Sequence, residues 1–204
     1  MLCKRVMNEV LPGVRRWTAI HPKTGAEASS HWVPEAGAVI DPLLPPDQGV
    51  DAFAGSPPDR VLLSNRHHLR DAERFAEEFA CTVHCSEPGV HEFEGESVEV
   101  HCFAFGEEVA PGIEALEVGA ICPDESALLI RDPGALVIAD GIVNYGGLRF
   151  VSDRLLGDDP EGVKEGLRRS YSRLLDRDFD SLLFAHGAAL IGGGKEALRE
   201  FCAA

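Results

Sequence analysis

The stretch VLLSNRHHLRDAERFAEEF, Val61 to Phe79, decides how the chain is read. It begins as a short apolar strand, Val61 to Ser64, and passes through two adjacent histidines. It then enters a segment in which Ala72, Phe75, Ala76, Phe79 and Ala80 follow the i, i+3, i+4, i+7, i+8 spacing of a one-sided helix. Histidines in a strand-to-helix turn are well placed to bind a metal ion. Two later segments have the same form: ALVIADG (Ala135 to Gly141) ends a strand on Asp140, and SLLFAHG (Ser181 to Gly187) ends one on His186. Three strands that each deliver an imidazole or a carboxylate at the carboxyl end can converge on one point at a sheet edge.

Outward from that stretch, the N-terminal third reads as a β-meander. Strands at Val14 to Ile20, Ser30 to Val33 and Ala38 to Asp41 are separated by the turn signals HPKTG, PEAG and DPLLPPDQG. After Arg60 strand and helix alternate, with further short strands at Thr82 to Cys85, Val98 to Phe103, Ile113 to Val118, Ala127 to Ile130 and Leu136 to Ala139. Asp159 followed by Pro160 is an N-cap and first-turn pair, and Val163, Leu167, Tyr171, Leu174 and Leu175 give the next helix its apolar stripe. Beyond the Gly192 to Gly194 turn, Ala197, Leu198, Phe201 and Cys202 form the inner face of a closing helix. Many strands with few helices predict two sheets covered on their outer faces by helices.

A chain of 204 residues, 45% of them hydrophobic, fits a single domain over residues 1–204. The net charge of -15 argues against nucleic acid and anionic membranes as partners, since neither gains from an acidic surface. No apolar run approaches the ~20 residues that span a bilayer, and MLCKRVMNEVLPG lacks the apolar core of a signal peptide, so a cytoplasmic location is expected. Cys3, Cys81, Cys85, Cys102, Cys122 and Cys202 include no CxxC pair and read as buried free thiols. Strand alternation places Cys81 and Cys85 on one face and His84 on the other.

Taken together, strand-SNRHHLRDA-helix, IADG, FAHG and GGGKEALREF resemble the metallo-β-lactamase superfamily over most of the chain. The resemblance implies an α/β (α+β) fold, the αββα four-layer sandwich of the metallo-β-lactamase type. It also implies two metal ions, usually zinc and sometimes iron or manganese, and hydrolysis of thioesters, lactams, lactones or phosphodiesters. Laid on the family's Thr-His-x-His-x-Asp-His motif, Ser64 takes the Thr place and Asn65 the first His. His67 then takes the second His, Leu69 the Asp and Arg70 the last His. The turn that carries a further histidine falls in VGAICPDES, where Ile121 stands in its place. Asp140 matches the bridging aspartate and His186 the final histidine, so a normal dinuclear centre is not expected.

Leucine offers no lone pair and arginine brings a fixed positive charge, so the half of the site at Leu69 and Arg70 should repel a cation. Arg70 is expected to stand in for the metal by neutralising Asp140. His67, Asp140 and His186, with His68 as a further donor, could still hold one zinc, iron or manganese ion. The alternative is that these groups bond one another with no ion. Asp41 is either a turn residue or a group that orients a ligand from behind. Asp71 favours the helix N-terminus, Glu92, Glu94, Glu96 and Glu99 form a solvated face, and His21, His31, His84, His91 and His101 are solvated or satisfied.

Two functions follow. One is a hydrolase of esters, thioesters or lactones with a reduced, mononuclear site, in which Asn65 or Arg70 steadies the developing oxyanion. The other is a metal-free relative that binds a small anion through Arg66 or Arg70 or serves as an interaction partner. The ligand losses favour the second for the chemistry. A purely structural subunit is the third and least informative reading. No nucleophile replaces the metal, since Ser64 has no GxSxG context.

Overall fold

The computed structural model describes residues 7–204, so Cys3 lies outside the described residues. Strands β1 (Asn8–Leu11), β2 (Val14–Ile20), β3 (Glu27–Val33) and β4 (Ala38–Ile40) run antiparallel in succession, the last three as the turn residues between them predict. Strands β5 (Arg60–Leu62), β6 (Thr82–Ser86) and β7 (Val100–Phe103) then add in parallel and complete a seven-stranded sheet in chain order. Parallel neighbours need a crossover, and helix α1 (Ala72–Phe79) supplies the one between β5 and β6.

The second sheet contains β8 (Glu108–Ala110), β9 (Ile113–Glu117), β10 (Ser126–Ile130) and β11 (Ala135–Ile138). A small hairpin follows, β12 (Ile142–Asn144) with β13 (Leu148–Phe150). Helix α2 (Pro160–Leu174), capped by the Asp159 carboxylate on the Gly162 amide, carries the chain back so that β14 (Ser181–Phe184) lies parallel to β11. The order of this sheet is β14-β11-β10-β9-β8. Helix α3 (Gly194–Ala203) closes the chain. Its first residue must be glycine for lack of room, because a Cβ there would lie 2.9 Å from Leu182 Cγ and 3.0 Å from the Asp180 carbonyl oxygen.

Between the sheets, Ile40 and Leu62 meet Leu128, Ile130, Val137 and Leu183. On the outer face of the first sheet Trp17, Trp32 and Val61 pack with Phe75 of α1, and Phe53 lies edge-on to both tryptophans at 5.8 Å. On the outer face of the second sheet, Leu136 and Ile138 pack on Leu167, Tyr171 and Leu198 of α2 and α3. Strand β11 is therefore apolar on both sides, which is why ALVI shows no alternation. The layers are helix, sheet, sheet, helix, the αββα sandwich that the sequence predicts.

Some local features differ from the sequence expectations. Strands β1 and β8 and the β12–β13 hairpin are additional to them, although NYGGL between two apolar runs is a turn signal. Gly146 and Gly147 occupy φ 85° and 149° in that turn. Cys81, Cys85 and Cys122 are buried, but Cys102 is exposed on edge strand β7 and Cys202 half-buried. Among the described residues no helix is long and apolar enough to cross a membrane.

Candidate metal centre

The carboxyl ends of β4, β5, β11 and β14 meet at one edge of the sandwich. Parallel pairing of β4 with β5 sets Ile40 beside Leu62, and the Asp41 amide continues the ladder to the Leu62 carbonyl at 3.0 Å. Asp41 then turns into the left-handed region at φ 50°, and its carboxylate reaches Ser64. Oδ1 accepts from the Ser64 amide at 2.8 Å and Oδ2 from the Ser64 hydroxyl at 2.6 Å. Asn65 caps the short 3-10 turn Arg66–His68, accepting from the His67 amide at 2.9 Å. That turn leaves the His67 side chain exposed and directs His68 inward, where it is 3% exposed.

The bonds of His68 fix its tautomer. Nδ1 lies 2.9 Å from Ser64 Oγ and 3.0 Å from Asp41 Oδ2. Because the Ser64 hydroxyl donates to Asp41, its oxygen accepts from His68, and Nδ1 carries the hydrogen. Nε2 faces Asp140 Oδ1 at 3.2 Å. His186 is held in the same way: its Nδ1 donates to the Glu27 carbonyl at 3.0 Å, and its Nε2 lies 3.3 Å from the same Asp140 oxygen. The other oxygen of Asp140 accepts from the Asn65 amide at 3.0 Å.

Two imidazole Nε2 atoms and one carboxylate oxygen therefore converge, with all three donors within 4.8 Å of one another. Bonds of ~2.0–2.1 Å to a tetrahedral ion separate neighbouring donors by about 3.3 Å, which the His68 and His186 distances to Asp140 match. The donor set thus fits a single ion. Burial and the Arg70 charge oppose protonation of His68, but Asp140 and Asp41 outweigh them and raise its pKa to about 9. Burial likewise opposes ionisation of Asp140, yet His68 and His186 hold it well below the usual carboxylate range. A proton and a metal ion compete for one lone pair on His68.

His68, and not His67, joins Asp140 and His186. Arg70 makes no hydrogen bond to Asp140 among the described residues; at φ 45° its Nη1 donates to the Ser29 and Asp41 carbonyls at 2.8 and 2.7 Å. His68 sits between two carboxylates, and Arg70, though it makes no hydrogen bond to Asp140, adds its charge there as well. The Asn65 amide is committed at both ends, to Asp140 and to the His67 amide. Leu69 packs toward the α1 core, while Ile121 lines the cavity without offering a ligand.

Asp41 orients His68, and Asp71, although next to α1, spends its carboxylate on the Leu44 amide at 2.7 Å. Arg66, expected as an anion-binding candidate, is occupied. Its amide and guanidinium bond the buried Asp124, and it also pairs with Glu92, which is therefore more than a solvated residue. His21 lines the cavity, His84 bonds the Thr82 hydroxyl at 2.8 Å, and His91 lies 3.3 Å from Glu92. His31 departs from the expectation of a satisfied ring: it is fully buried with no hydrogen-bond partner at either nitrogen among the described residues. Burial first, then the Arg16 charge, lowers its pKa to about 3.

Of the buried acids that escape sequence reading, two lie beside the site. Asp124 anchors Arg66, and Glu125 accepts from the Gly141 amide at 3.0 Å and the Ile121 amide at 3.3 Å, fixing the loop after Asp140. Burial and then the Asp140 charge push Glu125 up to about 7. The only signal is the acidic pair in CPDESA, which an exposed turn would also show. Above the three donors opens a cavity of about 860 Å³, within the size range of small-molecule sites.

No protein-family model matches the chain. Comparison with curated proteins likewise gives no match. Solved structures do match over nearly the whole chain. A beta-lactamase domain protein from Burkholderia ambifaria superposes with a TM-score of 0.70 at 14% identity, covering 100% of this chain and 77% of that one. A metallo-beta-lactamase family protein from Thermus thermophilus gives 0.67 at 17% identity, covering 96% and 80%. Rubredoxin oxygen:oxidoreductase from Desulfovibrio gigas gives 0.69 at 14% identity, with 97% of this chain matching 61% of that larger protein. At these identities the likeness establishes the metallo-β-lactamase fold.

Proposed function

We propose that this chain, built on the metallo-β-lactamase fold, holds one divalent ion (zinc, iron or manganese) on His68, Asp140 and His186 and hydrolyses an ester, thioester or lactone. One observation carries the reading. Both imidazoles have Nδ1 tied to an acceptor, Asp41 for His68 and the Glu27 carbonyl for His186, so both Nε2 atoms turn to the same oxygen of Asp140. Such outer bonds fix the tautomer of metal-binding histidines and raise their basicity.

When bound, such an ion supplies Lewis acidity that polarises a carbonyl and lowers the pKa of water toward ~7. The chain's own residues do the rest. Asn65 occupies one oxygen of Asp140 and leaves the other for the ion. Asp41, itself held below the usual carboxylate range despite its burial, keeps His68 oriented. His67 lines the cavity with an exposed ring. Leu69 and Arg70 hold the number of ions at one.

A second reading, a metal-free site, is favoured by His68 lying between Asp41 and Asp140, which balances buried charge without an ion. Elemental analysis of protein purified without added metal or chelator decides between them. About one equivalent per chain, lost in His68→Ala and Asp140→Asn and retained in His67→Ala, supports the hydrolase. Below about a tenth of an equivalent in the unmodified protein, the metal-free reading holds and the hydrolase is withdrawn.

A further inference from the structure

The charge around the cavity runs against the charge of the chain. The protein carries 34 acidic and 19 basic residues, yet among the described residues Asp140 is the only carboxylate lining the cavity. The same wall carries the guanidinium groups of Arg70, Arg149 and Arg154. This is not true of every hollow: a smaller one of about 390 Å³ beside α1 is lined by Glu73, Glu77 and Glu99. Segregation of positive charge into one concave, largely apolar site focuses the field there and draws in anions.

Arg149 and Arg154 are available for such a ligand. Both are exposed, and among the described residues neither pairs with a carboxylate; Arg149 donates only to the Tyr145 carbonyl, at 3.1 Å. The nearest acid in sequence to Arg154 is Asp153, which is engaged by Lys164 at 2.8 Å. Between these guanidinium groups and the metal centre the wall is apolar: Ile121, Val143, Tyr145, Phe150 and Leu155. Tyr145 and Leu155, both lining the cavity, remain 57% and 58% exposed.

We propose that the β12–β13 hairpin and the segment after it recognise an amphipathic anion. Arg149 and Arg154 take a carboxylate or phosphate, the apolar wall takes a hydrocarbon or aryl body, and the bond to be cleaved is thereby presented to His68, Asp140 and His186. Presentation of that bond rests on the hydrolase reading; the recognition itself does not. The guanidinium groups offer forked donors that match a carboxylate or a phosphate, so the two anions share one recognition chemistry.

The test is equilibrium binding to the whole chain in the presence of chelator, using decanoate, decyl phosphate and decanol as probes. Decanoate or decyl phosphate is expected to bind at least about tenfold more tightly than decanol, and Arg149→Gln/Arg154→Gln to lose that preference while still binding decanol. Whichever anion gains more from the arginines identifies its source. Equal binding of all three probes, no binding of any, or an unchanged preference in a double variant with unaltered thermal unfolding overturns the proposal. An unfolded double variant is replaced by the single substitutions, each expected to lose part of the preference. Binding in chelator separates the outcomes: an anion preference there, with less than about a tenth of an equivalent of metal in protein never exposed to chelator, leaves recognition standing and removes only hydrolysis.

Discussion

His68 Nδ1 lies 3.0 Å from Asp41 Oδ2, so a residue at the end of one strand fixes the ring that follows the next. The parallel register of β4 and β5 makes this contact, and it aims the opposite nitrogen at Asp140. Ser64 closes the arrangement by donating to the same Asp41 oxygen.

Substituting Asp41 therefore reaches the proposed ion site without touching any of its three donors. Asp41→Asn is expected to weaken zinc retention by about ten- to a hundredfold, the range for loss of such an outer bond. Competition with a chromophoric chelator measures it. Retention equal to that of the unmodified protein would show that His68 needs no partner at Nδ1.

Glu125 makes stability depend on pH. Its pKa is about 7 in the folded chain against an ordinary value of 4.5, so folding takes up a proton between these values. Its contribution is fully present below pH 4.5 and lost as pH rises through 7, on the order of 3 kcal/mol. Urea unfolding of chelated protein from pH 5 to 8 should show the decline, and Glu125→Gln, which keeps an acceptor for the Gly141 amide, should make it shallower, the remainder including His68, whose pKa is raised to about 9. A variant with the original slope would place the effect elsewhere.

The buried ring of His31 has no hydrogen-bond partner among the described residues. An apolar side chain in its place removes a desolvated polar group, so His31→Leu is expected to raise stability by about 1 kcal/mol. The denaturant midpoint reads this directly. A fall of similar size would reveal partners supplied by solvent.

Gly187 stands at φ 101°, and a Cβ there would lie 2.2 Å from the Asn144 carbonyl oxygen. The obstacle is backbone, which cannot swing aside. Gly187→Ala should destabilise by roughly 3 kcal/mol or more and lower the metal content, because His186 precedes it. Thermal unfolding combined with elemental analysis checks both effects; an unchanged melting temperature would show that the β12 loop yields.

Much of the fold was legible because its signals are local. The stripe from Ala72 to Phe79, the Asp159–Pro160 cap and the apolar strands ending on Asp140 and His186 each act within a few residues. The β12–β13 hairpin was legible in principle through its two glycines, but its strands have only three residues each. Buried Asp124 and Glu125 were not legible, because an acid is held inside only by donors that other segments bring. Arg66, the Gly141 amide and the Ile121 amide are those donors here.

By itself the sequence determined the layered architecture and the edge at which Asp140 and His186 meet, since hydrophobic periodicity and strand ends are properties of short segments. Only the tertiary structure decided which of the adjacent histidines completes that edge. The direction of a side chain in a single 3-10 turn follows no period that spacing could reveal. It was set by the Asn65 cap on one side and by Asp41, brought from another strand, on the other, and together they turn His68 inward and leave His67 facing the cavity.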